Sequence, residues 1–66
     1  MNAKAEMKAV DGLLNDISTR VGTLTKLGFF TFEEGMKIIR AISDKESEWM
    51  KSNFSDMEIY EFMKSK

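Results

Sequence analysis

The sequence predicts an all-α fold: a helical hairpin of two long helices, a short C-terminal helix, and completion of the whole as a dimeric helical bundle. Two observations carry this. Apolar residues recur at alternating steps of three and four through Ala3, Met7, Val10, Leu14, Ile17, Val21 and Leu24, the spacing that lines one narrow stripe of a helix. The later segments are punctuated by helix-start and helix-stop chemistry, with no proline anywhere in the chain.

The first helix is expected over about residues 3–27. With Met7, Leu14 and Val21 at heptad position a, the d positions are Val10, Ile17 and Leu24, and Leu13 and Leu27 at g broaden the stripe. Met7, Val10, Leu14, Ile17, Val21 and Leu24 are therefore the expected self-association contacts, and a charge at Leu14 or Ile17 is expected to disrupt both assembly and fold. Gly12 and Gly22 fall on the far face, where each costs about 1 kcal/mol relative to alanine, so the helix needs cover from another. Gly28 supplies the left-handed residue that closes a helix, with Lys26 near the negative end of the dipole.

The second helix is expected over about residues 32–52. Thr31 caps its backbone and Glu34, three residues on, reaches back. Phe32, Met36, Ile39 and Ile42 share a face that Ile38 widens, and Gly35 is small enough to let the first helix approach closely. The pattern loses phase at Ser43-Asp44-Lys45-Glu46, where Ser43 and Glu46 offer a further capping pair. Continuity is the reading, because neither Gly nor Pro interrupts the segment. The joint Leu27-Gly28-Phe29-Phe30-Thr31-Phe32-Glu33-Glu34 resembles that of several short bacterial helical hairpins, and the resemblance implies no function.

A third helix, about residues 56–64, follows Asn53, which tolerates the left-handed conformation, and Ser55, which with Glu58 repeats the capping arrangement. Its apolar residues Met57, Ile59, Tyr60, Phe62 and Met63 surround most of its circumference. Together with Trp49 and Phe54 they plug the open end of the bundle or, where exposed, offer a surface to a partner. Phe30, Trp49, Ile59, Tyr60, Phe62 and Met63 are the candidate partner-binding residues, Phe62 and Ile59 foremost as the ones left exposed. Around the hairpin turn Phe29, Phe30 and Phe32 exceed what a turn needs, so one is expected to staple the start of the second helix and another to point outward.

Composition bounds what remains. Sixty-six residues, 42% hydrophobic and 32% charged, make a single domain over 1–66 with room for one core. Cysteine and histidine are both absent, which removes disulfides and the usual zinc ligands, and leaves a second chain as the common way to stabilise so small a domain. Ten basic and eleven acidic residues give a net charge of −1, which is no phosphate-binding footprint. No secretory segment and no apolar run of membrane-spanning length is visible, so a cytoplasmic protein with no membrane association is expected.

Chemistry-bearing patterns are sparse. The chain offers no histidine or cysteine as base or nucleophile and no catalytic motif, so no enzyme, cofactor or metal is expected. Asp44, Glu46 and Glu48 have calcium-loop spacing, but Trp49 and Ser55 stand where that loop needs glycine and glutamate, which leaves a solvated acidic helix face. Glu58 and Glu61 lack the partner histidine of a di-metal bundle. The expected function is a helical protein–protein interaction module, a small regulator, inhibitor or adaptor of the kind phages and bacteria make, that self-associates and binds a macromolecular partner. The alternatives are a dimeric DNA-binding regulator that brings Lys37 and Arg40 of two chains together, and a structural subunit of a larger assembly. Glu33, Glu34, Asp44, Glu46 and Glu48 interleave with Lys37, Arg40, Lys45 and Lys51 and nearly cancel their field, which argues against nucleic acid.

Overall fold

Asn2 starts the first helix: its side-chain Oδ1 accepts the N–H of Ala5 at 2.8 Å, pairing one of the donors that a helix N-terminus leaves free. The computed structural model of the chain describes residues 2–66. Among them the fold is all-α, three helices without a strand: α1, Ala3–Lys26; α2, Phe32–Asn53; and α3, Asp56–Lys64.

Gly28 ends α1 with φ at 83°, in the left-handed region. That geometry lets the Phe29 N–H donate to the Leu24 carbonyl at 2.9 Å and the Gly28 N–H to the Thr25 carbonyl at 3.1 Å, the paired bonds of a Schellman closure. α2 then begins on a full capping box: Thr31 Oγ1 accepts the Glu34 N–H at 3.1 Å, and Glu34 Oε1 accepts the Thr31 N–H at 2.8 Å. The residue four into this helix, where a hydrophobic staple would sit, is Gly35, so none of the turn phenylalanines staples it. α2 passes through Ser43 without a break.

The joint between α2 and α3 differs from expectation. Asn53 stays helical and its Nδ2 donates to the Trp49 carbonyl at 2.8 Å, while Phe54 leaves the helix in extended conformation at φ −134°. The Phe54 N–H pairs the Met50 carbonyl at 2.9 Å, and no left-handed residue closes α2. Ser55 and Glu58 form the second capping box, at 3.2 and 2.8 Å, and start α3.

α1 and α2 are antiparallel: Thr25 meets Gly35 near the turn, Asp11 lies beside Glu46 midway, and Met7 joins Met50 at the far end. α3 folds back over that far end in the direction of α1, bringing Phe62 to Met7 and Lys66 to Asp11. The molecule measures 40 × 18 × 16 Å. Its core is Met7, Met50 and Phe62, with Ala3, Trp49, Phe54 and Ile59 packed against them. α3 has nine residues, a rise of about 14 Å against about 36 Å for the 24 of α1. It covers only the end of the hairpin opposite the turn, and elsewhere the fold is two helices thick.

Gly35 fixes how closely those two helices approach. It is buried, and a Cβ there would collide with Thr25 Oγ1, which is held in place by its 2.9 Å bond to the Val21 carbonyl. Gly35→Ala gains helix propensity of about 1 kcal/mol but forces the helices apart, so a net loss of about 1–2 kcal/mol, or about 7–15 °C in Tm, is expected by thermal unfolding. The double variant Gly35→Ala with Thr25→Ala removes the colliding hydroxyl and is expected to recover most of that loss.

Candidate interaction surface

The stripe of α1 is divided by the helix packed on it. α2 lies along the edge formed by heptad positions a and e, so Met7 and Val21 are buried at 0% and 7% exposure and Leu14 is half-buried. The d and g positions rotate onto the open side: Val10 is half-buried, Ile17 and Leu24 are exposed, and Leu13 and Leu27 are 64% and 77% exposed. The assignment of Met7 and Val21 to self-association is therefore corrected, since both are consumed by the chain's own fold. A heptad pattern gives the stripe but not the side of it that a hairpin partner will occupy.

Leu13, Ile17, Leu24 and Leu27 form one row along α1, interrupted by Arg20. α3 leaves this row free, because it approaches α1 from the Asp11 edge, through Lys66 and Phe62. Between the row and α2 a groove of about 240 Å³ is lined by Val10, Leu14, Lys45, Glu46 and Trp49.

The candidate partner-binding residues divide in the same way. Phe62, expected on the surface, is 2% exposed and is the central plug of the core, which overturns its assignment. Ile59 and Trp49 are half-buried against that core, Trp49 standing edge-to-face on Phe54 with ring centroids 5.2 Å apart. Phe30 is half-buried and edge-to-face with Phe29 at 4.9 Å. Tyr60 and Met63 are exposed on α3, and Met57, not among the candidates, is exposed beside them. At the turn Phe29 and Phe32, not the candidate Phe30, point outward, more than 70% exposed. Beside Phe32, a groove of about 210 Å³ runs between the helices, lined by Gly22, Thr25, Gly35, Met36 and Ile39 among others. Lys37 and Arg40 are exposed on α2, in the company of exposed Glu33, Glu34 and Asp44.

One polar cluster sits half-buried at the edge of the contact between α1 and α2. Of the three carboxylates expected on a solvated face, Asp44 and Glu48 are exposed, but Glu46 turns inward toward Asp11 of α1. Its Oε2 is buried without a hydrogen-bond partner. Two carboxylates are both acceptors, so only a proton on one of them makes a bond between them. Burial raises the Glu46 pKa above the ordinary carboxylate range, the adjoining Asp11 carboxylate raises it further, and Lys66 opposes them. Lys66 Nζ stands 3.5 Å from Asp11 Oδ1 and 5.3 Å from the centre of the Phe62 ring, tying the end of α3 to both. The cleft around this cluster, about 320 Å³, is also lined by Leu14, Asn15, Ser18, Ile39, Ile42 and Ser43.

Glu46 and Asp11 lie at the contact between α1 and α2. The chain matches no known protein family, no curated protein and no solved structure. No helix of the described residues is long and apolar enough to cross a membrane.

Glu46 generates a pH prediction. Because its folded pKa lies above the unfolded one, the native state binds more protons between the two values, and stability falls as pH rises through that interval. The contribution is fully present below the ordinary glutamate range, about pH 4.3, and is lost above the raised value. Glu46→Gln keeps an uncharged donor beside Asp11 at every pH. Its Tm is expected to be close to that of the native chain at pH 4 and to exceed it at pH 7; an equal difference at both pH values would contradict the burial of Glu46.

Proposed function

We propose that this chain is a non-enzymatic helical interaction module that self-associates through the open edge of α1 and presents aromatic and methionine side chains to a macromolecular partner. The observation that supports the reading is the exposed row Leu13, Ile17, Leu24 and Leu27. Large aliphatic side chains aligned on one face mark an association site, and burial of each is worth about 1.5–3 kcal/mol. The intramolecular core is small by comparison: Met7, Val21, Met50 and Phe62 are its buried hydrophobic side chains. For a domain of this size, burial and ordering nearly cancel, so the apolar area added by a second chain adds to a small stability.

The surface for a further partner would comprise Met57, Tyr60 and Met63 on α3, with Phe29 and Phe32 at the turn. Tyr, Phe and Met are enriched in protein interfaces, where they bring large contact area and, for methionine, adaptable shape.

The division of the stripe separates assembly from folding. Ile17 faces outward, so Ile17→Lys is expected to yield a helical chain of 7.6 kDa mass by light scattering and circular dichroism, where the native chain gives twice that mass. Leu14 packs toward α2, so Leu14→Glu is expected to lose helicity itself. A native chain that remains at 7.6 kDa across protein concentration would overturn the reading.

A further inference from the structure

We infer that the occupant of the open α1 edge is the same edge of a second copy, running antiparallel, with Leu13 of each chain opposite Leu24 of the other. The inference rests on the self-association reading and specifies its geometry.

The amount of exposed surface points to one further chain. A compact protein of 7.6 kDa exposes about 4,300 Å² by the scaling of folded monomers, whereas this chain exposes 5211 Å². The radius of gyration, 13.7 Å, likewise exceeds the value of about 11 Å for a compact domain of this length. The surplus of about 900 Å² is close to the ~800 Å² that each partner buries in an interface of standard size. A protein of this shape becomes compact by laying one more hairpin along its long side.

The order of side chains in the row selects the direction. Along α1 the edge reads Val10, Leu13, Ile17, Arg20, Leu24, Leu27. Set antiparallel about a twofold axis between Ser18 and Thr19, Val10 faces Leu27 of the second copy, Leu13 faces Leu24, and Ile17 faces the aliphatic stem of Arg20. Every large aliphatic side chain then meets another or an arginine stem, and the Arg20 guanidinium lies one step from Asp16 of the second copy at the margin of the contact. A parallel, in-register pairing sets Arg20 against Arg20, a like-charge juxtaposition that the antiparallel register avoids. The axis lies perpendicular to the helices, so α1 crosses α1 and the two α3 helices stand at opposite ends of a four-helix bundle, clear of the interface.

The chain has no cysteine, so introduced thiols report this geometry directly. Leu13→Cys and Leu24→Cys both replace exposed side chains and are expected to keep native helicity. In a glutathione redox buffer, a mixture of the two variants is expected to form a disulfide heterodimer that joins position 13 of one chain to position 24 of the other. Either variant alone stays reduced, because like positions lie about 16 Å apart along the axis in the antiparallel register. Light scattering on the native chain, run in parallel, separates assembly from register. A disulfide dimer of either variant alone overturns the antiparallel register and leaves self-association standing. A dimeric native chain whose variants form no disulfide in any combination overturns the use of this edge, and a monomeric native chain overturns both.

Discussion

Everything in this structure follows from the closure of a long hairpin by a helix too short to cover it. Phe62 seats on Met7 and Met50, and with Ala3, Trp49, Phe54 and Ile59 it gives one end of the molecule a core enclosed by three helices. The nine residues of α3 reach no further than the Asp11 region of α1, where Lys66 anchors their end. Beyond that point α1 and α2 have only each other. Two helices in contact bury one side each, and the remaining apolar side chains of both stay at the surface.

In that two-helix region the helices approach closely at one point, with Val21 buried beside it. Gly35 packs against Thr25, whose hydroxyl is turned inward onto the Val21 carbonyl. A glycine and a threonine at the crossing bring the helix axes together, which leaves little volume between them for the leucines of α1. Those leucines sit on the flank, where Leu13 and Leu27 are mostly exposed. Midway along, the helices bring Asp11 and Glu46 together, so the contact that aligns the hairpin also contains a carboxylate pair that one proton would satisfy. Local geometry at the turn, a half-buried acid pair at the centre and aromatic packing at the far end are three different solutions to joining the same two helices.

The exposed surface inherits this asymmetry. On the side that α3 approaches, Phe62 and Lys66 occupy the α1 edge; on the other, the row from Leu13 to Leu27 is exposed. The elongated shape and the surplus area are two measures of the same deficit. In the proposed dimer a second hairpin would supply that layer without altering the first, and would leave the aromatic and methionine side chains at the turn and on α3 uncovered.

The sequence by itself determined the secondary structure and the punctuation between helices: Thr31 with Glu34, Ser55 with Glu58, and Gly28 act through hydrogen bonds within a few residues, so their outcome is local. It likewise marked the apolar stripe of α1 and the close approach at Gly35. It did not show which half of the stripe its own hairpin would occupy, that Phe62 would be the plug and Met57 the exposed residue, that Asn53 would remain helical, or that Glu46 would turn inward from a face that reads as solvated. Tertiary structure decided those, because the rotation of one helix about its axis against another is set by the summed packing of residues far apart in the chain, here Thr25 on Gly35 and Met7 on Met50 and Phe62. A stripe broad enough to satisfy several rotations becomes half core and half surface only when one of them is chosen.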